Sequence, residues 1–448
     1  MLSISEAEAR VADLVAAAKR AGADASDAVY VCNAATQVEV RLGALEGVER
    51  SEGEEIGLRA FVGKRSASVS SSDLSGDALA ALVERAIAMA REAPDDAYAG
   101  LAPEELLFRG EAPAVDGDDG GEIEPAALRA RALDAEAAAR GIAGVTNSDG
   151  AGASAGRTVI ALATSHGFTG GYAASSHGCS AVVIAGSGAD MQRDHGYHSA
   201  RHATDLEDSA TIGRRAGERA VARLHPKRLP GGQMPVVFDP RVGSSLLGHL
   251  MGAIAGSAVT RRTSFLLDKL GERVFAPGVT VRDDPLRPRG LRSRPFDGEG
   301  LPVAPRDIIA DGVLGGWLLD SAAARQLGLQ PTGHATRGVG GPPGAGASNL
   351  YMLPGTLTPD ELIADIKLGF FVTELIGQGV NGVTGDYSRG AMGFAIRDGK
   401  LAEPVAEMTI ASNLKDMFLN LTPANDLEFR RATDVPTLRV EGMTAAGG

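Results

Sequence analysis

Only two cysteines, Cys32 and Cys179, occur in the 448 residues, and they lie in unrelated segments. Neither a disulfide framework nor a cysteine-based structural zinc site can be drawn from such spacing, and both read as small buried hydrophobes. Aromatic residues are scarce as well, with one Trp and six Tyr against 59 glycines. That balance points to many turns, little aromatic packing and a β-rich chain. No apolar run approaches the roughly 18 residues needed to span a bilayer. The amino terminus lacks a basic segment followed by an apolar core, so the expectation is a cytoplasmic protein with no membrane partner. Basic charge is in deficit too, with 44 Lys and Arg against 57 Asp and Glu, a net charge of −13. Such a surface repels phosphate backbones and speaks against nucleic acid as a partner. The best basic patch, Arg287 to Arg294, is interrupted by Pro288 and Gly290 and reads as a solvated loop.

What is present suffices for a sizeable core: 44% of residues are hydrophobic, and the length favours two or three domains. Ser5 with Glu8 reads as a capping box, followed by a helical face of Val11, Leu14, Val15 and Ala18 that stops at Gly22. Alternation then predicts short strands at 28–32, 36–42, 45–50, 56–62 and 66–70, an antiparallel meander, and a helix over 77–91. These make a first domain over 1–94. Residues 95–121, rich in Pro, Asp, Gly and Glu, read as a linker or surface loop. Asp116, Asp118 and Asp119 there lack the ligand spacing and closing Glu of a calcium loop. A central domain over 122–228 holds helices at 125–140 and 206–224 around short strands. The last domain, 229–448, opens with a strand at 234–238 and a helix at 244–258. Asp311-Gly312 and Asp398-Gly399, each between apolar runs, predict hairpin turns.

Few residues point to independent chemistry. Gly338 to Gly346 lacks the Lys-Ser/Thr of a phosphate loop, and its prolines remove backbone donors. Gly150 to Gly156 is not a dinucleotide fingerprint. His195, His198 and His202 could hold zinc or nickel if they met on one face, but Gly196 and Tyr197 disfavour a helix there, and structural histidines are the simpler reading. No nucleophile elbow is present. His334, in Pro331 to Arg337, reads as a turn or cleft residue or as a proton shuttle.

The segment Ser245-Leu-Leu-Gly-His-Leu-Met-Gly-Ala-Ile-Ala-Gly-Ser257 carries a resemblance, supported by Gly298-Glu-Gly300, Arg306 to Leu314, Ser348-Asn-Leu-Tyr-Met352, Leu375-Ile-Gly-Gln-Gly379, Thr384-Gly-Asp-Tyr-Ser-Arg-Gly390 and Ile410 to Asp416. In order and spacing, over essentially the whole chain, it resembles the TldD/PmbA peptidase family, and specifically the TldE/PmbA branch. Catalytic members carry His-Glu-x-x-x-His on the corresponding helix: two zinc ligands, and a glutamate that activates water, since metal and base act together. The ligand positions fall here on Gly248 and Ala253 and the glutamate on His249, so none is retained. The family's carboxy-terminal cysteine ligand is also missing.

The resemblance implies an α+β fold: an amino-terminal α/β region with antiparallel strands and a largely β carboxy-terminal domain, assembled as a dimer around a cavity. It implies a non-catalytic subunit with no cofactor of its own, zinc residing in a TldD-type partner. The complex would degrade or trim unfolded peptides such as antitoxins and peptide-antibiotic precursors. Candidate substrate or interface residues are His249, His334, Asp386, Tyr387 and Arg389, although Asp386 and Arg389 also read as a simple ion pair. Two other readings stand: a homodimeric peptide-binding protein without hydrolase activity, and an enzyme using the histidine cluster. The family's older association with DNA gyrase has no physical support in so acidic a sequence.

Overall fold

The computed structural model describes residues 1–447. Its amino-terminal half is built on one antiparallel six-stranded sheet. In chain order the strands are β1 (Ala25–Arg41), β2 (Ala44–Val62), β3 (Arg65–Ser71), β4 (Val145–Thr164), β5 (Thr169–Ala185) and β6 (Gln192–Ala200), arranged spatially β3-β2-β1-β4-β5-β6. The sheet therefore runs without a break from the first 94 residues into the central segment, joined where β1 pairs with β4. Four of its strands are far longer than the alternation predicts. The pairs at 28–32 and 36–42, and at 45–50 and 56–62, are single strands continuing through pairs such as Asn33–Gly53. Glu52 and Gly53 are exposed, so apolar alternation fades there while the backbone ladder continues.

Helices cover one face of this sheet. α1 (Ile4–Arg20) and α2 (Gly76–Glu92) pack Val11, Leu14, Leu82 and Ile87 onto Ala28, Tyr30 and Cys32. α3 (Pro125–Arg140) and α4 (Ser209–Ala222) pack Leu128, Ala132 and Ile212 onto Val38, Val40, Cys179 and Val183. Both cysteines are free and buried. The capping box of α1 is formed by Ser3 and Glu6, not Ser5 and Glu8. The helix starts two residues earlier, which brings Ala7 into the buried stripe.

The opposite face of the sheet meets the carboxy-terminal half through Val29, Leu162 and Phe168 against Phe296 and Leu301. Leu107 joins this cluster, and Leu101, Ala102 and Val115 are also buried, so the 95–121 stretch is packed into the body of the molecule. Its acidic run has close partners: Asp118 accepts from Arg157 Nη2 at 2.7 Å, and Asp119 lies 2.8 Å from His177 Nε2.

The carboxy-terminal half opens with β7 (Gly232–Phe238) and α5 (Pro240–Ile254). β7 lies between strand Leu368–Ile376, to which it is parallel, and strand Leu438–Gly447. Strands Asp386–Arg397 and Lys400–Asn413 extend the sheet, and pairing of Lys400–Asn413 with Leu438–Gly447 closes it into a barrel. A second five-stranded sheet contains Val281–Asp283, Arg306–Ala310 and Leu350–Met352. Both Asp-Gly hairpins form as expected, with φ of 47° and 79° at Asp311 and Gly312 and 46° and 76° at Asp398 and Gly399. The glycine- and proline-rich stretch is an arm, a short ladder pairing Ala335–Thr336 with Gly344–Ala345.

Candidate functional site

α5 starts sharply. Asp239 accepts from Arg241 N–H at 2.8 Å, and Pro240 occupies the first turn, where its missing donor is harmless. Leu246, Leu247, Leu250 and Ile254 face the core. The helix does not run to 258. Ala255 is extended and bridges Leu318, and Gly256 N–H donates to Leu318 at 2.8 Å. A tertiary pairing thus breaks a segment whose local propensity is helical, and a five-residue helix, Gly256–Thr260, follows.

The face of α5 left bare by Gly248, His249, Gly252 and Ala253 lines a cavity of about 320 Å³ with Phe265 and Gln378. A neighbouring groove of about 600 Å³ shares Gln378, Val380 and Gly382 and adds Asp386, Tyr387 and Ser388. His249 and Tyr387 are edge to face. Among the described residues, His249 Nε2 and the Tyr387 hydroxyl are buried with no hydrogen-bond partner. Burial, and then the charge of Arg389, lower the pKa of His249 below that of a free imidazole. Burial raises that of Tyr387 above the usual phenol range.

Asp386 and Arg389 do not pair. Three residues apart on a strand, they point to opposite faces. Asp386 accepts from Thr384 Oγ1 at 2.6 Å and Asn413 Nδ2 at 3.2 Å, whereas Arg389 Nε donates to the Ile376 carbonyl at 3.3 Å. His334 lies outside this group. It is 4% exposed, with Nδ1 2.9 Å from Thr332 Oγ1 and Nε2 3.4 Å from Asp283 Oδ2. The His195 cluster does not converge either. His195 stacks on Tyr197, His198 Nδ1 accepts from Glu207 N–H at 3.0 Å, and His202 Nε2 donates to the Asp116 carbonyl at 3.0 Å.

On the other side of Gly252, a cavity of about 540 Å³ separates the two halves of the molecule. Met251 lines it from α5, Ala255 from just beyond that helix, Tyr172 from β5, and Arg292, Arg294 and Ser348 from the rest of the carboxy-terminal half. The Arg287 to Arg294 stretch is a loop with Pro288, Arg289 and Arg292 exposed, but three of its arginines are pinned to distant partners. Arg287 stacks on Phe429 at 3.8 Å, Arg289 binds Asp116 at 2.6 Å, and Arg294 donates to the Ala335 carbonyl at 2.9 Å. Composition could not place these arginines, because their positions depend on contacts with residues far away in the chain. Gln378 and Ser348 had a signal, lying within two of the segments that carried the family resemblance.

Three family models cover successive parts of the chain: PmbA/TldA metallopeptidase domain 1 over residues 27–90, the central domain over 118–224 and the C-terminal domain over 231–447. The Metalloprotease PmbA of Escherichia coli O157:H7 is 37% identical over 455 residues, covering 100% of this chain and 99% of that protein. The chain belongs to the PmbA/TldD metallopeptidase family. A Metalloprotease PmbA homolog of Haemophilus influenzae is 34% identical, with coverage of 100% and 98%. A crystal structure of a candidate modulator of DNA gyrase from Bacteroides thetaiotaomicron superposes over the whole of both chains with a TM-score of 0.92 at 27% identity. TldE from Thermococcus kodakarensis, at 20% identity, shares the fold with a TM-score of 0.87 over 98% of this chain and 100% of that one.

The family name implies a metal, and α5 allows a direct test of fit. Around the His249 cavity the donor set is a single imidazole, with no carboxylate or thiolate in the lining. Among the described residues, no group of three or more His, Cys, Asp or Glu is placed to hold a metal ion. A PmbA/TldD zinc site does not fit the residues present at this helix. No helix among the described residues is long and apolar enough to cross a membrane.

Proposed function

We propose that this chain is the non-hydrolytic, TldE/PmbA-type subunit of a two-component peptidase whose zinc and general base reside in a TldD-type partner. The observation that carries this reading is the bare face of α5. Gly248 and Ala253 offer no ligand, and His249 supplies one imidazole whose lowered pKa keeps it neutral in neutral solution. The helix retains its place beside a substrate-sized groove while lacking the groups needed to activate water.

In this reading the chain forms half of a chamber in the cytoplasm that excludes folded proteins. It holds an extended peptide by backbone pairing along an exposed strand, with His249, Asp386 and Tyr387 lining the path. The test is hydrolysis of an unfolded polypeptide by the purified chain, alone and mixed with a TldD-type subunit encoded in the same genome, with zinc measured in each sample. Activity and zinc only in the mixture support the reading. Zinc-dependent cleavage by this chain alone, lost on His249→Gln or His198→Gln, overturns it. Tight peptide binding with no activity in either sample favours a homodimeric binding protein.

A further inference from the structure

The cavity of about 320 Å³ beside α5 is bounded by uncharged groups. Phe265, Val380, Leu414 and Ala253 supply apolar walls, Thr263 and Gln378 add neutral polar atoms, and no Asp, Glu, Lys or Arg lines it. His249 is the titratable group in the lining, and burial keeps its imidazole neutral in neutral solution. A formal charge entering such a site would lose its hydration without meeting a counter-charge. An apolar group gains by leaving water.

The hollow is not forced by close packing of the helix. A carbon added at Gly243 would lie 3.1 Å from Val435 Cγ2, but one added at Gly248 would meet nothing within 4 Å. Glycine weakens a helix relative to alanine, and no neighbour requires it at Gly248, so what the missing side chain leaves is open volume. An apolar cavity of about 150 Å³ is enough to hold benzene. One of about 320 Å³ therefore has room for the side chain of Leu or Phe. The cavity is continuous with the groove of about 600 Å³, since Gln378, Val380 and Gly382 line both. The groove itself is more polar, with Asn381, Asp386 and Ser388 in its lining, and suits a peptide main chain while the cavity suits a side chain.

We propose that the α5 cavity is a specificity pocket that takes one large apolar side chain, such as that of Phe or Leu, from an extended peptide whose main chain lies in the adjoining groove. The peptide as ligand rests on the function proposed above; the apolar preference rests on the volume and lining of the cavity. Side chains of this kind are mostly buried in folded proteins and exposed in unfolded ones. The pocket thus selects unfolded chain by its chemistry, independently of any exclusion by size.

Calorimetric titration of the full chain, without a partner subunit, tests the pocket with acetylated and amidated nonapeptides of Ser and Thr that differ only at a central residue: Phe, Leu, Ala, Asp or Lys. The Phe or Leu peptide is expected to bind at least about tenfold more tightly than the Ala peptide, with Asp and Lys no better than Ala. Gly248→Leu places a branched side chain in the cavity and is expected to bring that ratio down to roughly threefold or less. Gly248→Ala, which adds a single methyl, is expected to lower it part-way and serves if the leucine variant does not fold. A reduced ratio at an unchanged melting temperature separates filling of the pocket from unfolding. Equal affinities for all the peptides, no binding of any, tighter binding of Asp or Lys, or a preference that survives both variants would each overturn the proposal. Because no hydrolysis is read, partner-dependent cleavage together with equal affinities would remove the pocket and leave the two-subunit function standing.

Discussion

The imidazole of His249, on α5, meets the ring of Tyr387 edge-on, with centroids 6.1 Å apart and planes at 80°. This contact joins α5 to the strand Asp386–Arg397. Each ring brings a buried polar atom that no protein group satisfies.

Tyr387→Phe removes one of these atoms and keeps the ring. An unsatisfied buried hydroxyl costs about 1–3 kcal/mol, so the variant is expected to be as stable as the parent or more so. Tyr387→Ala, which leaves a void at a residue 1% exposed, is expected to lose about 3–5 kcal/mol. Urea unfolding of both variants checks this. A substantial loss of stability in Tyr387→Phe would mean that the hydroxyl has a partner, such as a buried water.

A second prediction concerns the junction between the halves. Asp27 on β1 accepts from Arg337 Nη2 at 2.8 Å and from Arg59 Nε at 2.8 Å, and all three side chains are at least nine-tenths buried. Asp27→Asn leaves two buried guanidinium groups without a counter-charge and is expected to cost about 3–5 kcal/mol. Arg337→Met is expected to cost less, because Arg59 still neutralises Asp27. Equal effects in chemical denaturation would contradict this ordering.

Glu299 makes folding pH-dependent. Its carboxylate accepts from Ser321 N–H at 2.8 Å and Ser321 Oγ at 2.7 Å, but burial and then the negative charge of Asp297 push its pKa from 4.5 up to about 7. The folded state holds this proton after the unfolded chain has released it. The contribution is therefore full below about pH 4.5 and is lost as pH rises towards and through about 7. Glu299→Gln removes the titration. The stability of the parent relative to the variant is expected to fall between pH 5 and pH 8 in urea titrations. A difference that stays constant across that range would place the carboxyl in a less shielded environment.

What the sequence made legible follows from the range of the forces involved. The α1 stripe and the two Asp-Gly turns depend on neighbours within a few residues, and they were readable. The continuity of β1 and β2 was not, because the stretch around Asn33 and Gly53 is held by backbone pairing while its side chains carry little apolar signal. The end of α5 was hidden for a related reason. Alanine is a strong helix former, and Ala255 leaves the helix only because Leu318, 63 positions away, provides a bridge. At the candidate site, the absence of a ligating side chain at Gly248 and Ala253 is plain from the residue types themselves. The apolar walls that Val380 and Leu414 give the cavity could not be read, since the fold brings them to α5 from far along the chain.

The glycines of α5 allow stability and function to be separated. A methyl group added at Gly248 or Gly252 would meet nothing within 4 Å, so neither glycine is required by close packing. Each costs the helix roughly 0.5–1 kcal/mol relative to alanine. At Gly256, by contrast, the added carbon would lie 2.6 Å from Ala323 Cβ. Gly256→Ala is expected to destabilise by about 1–3 kcal/mol. Gly248→Ala with Gly252→Ala is expected to raise the denaturation midpoint. Both methyls project into the volume assigned to substrate, so the same double variant is expected to bind unfolded polypeptide more weakly and to support less partner-dependent hydrolysis. A variant that gains stability with peptide affinity and hydrolysis unchanged would show that the bare face of α5 is not part of the substrate path.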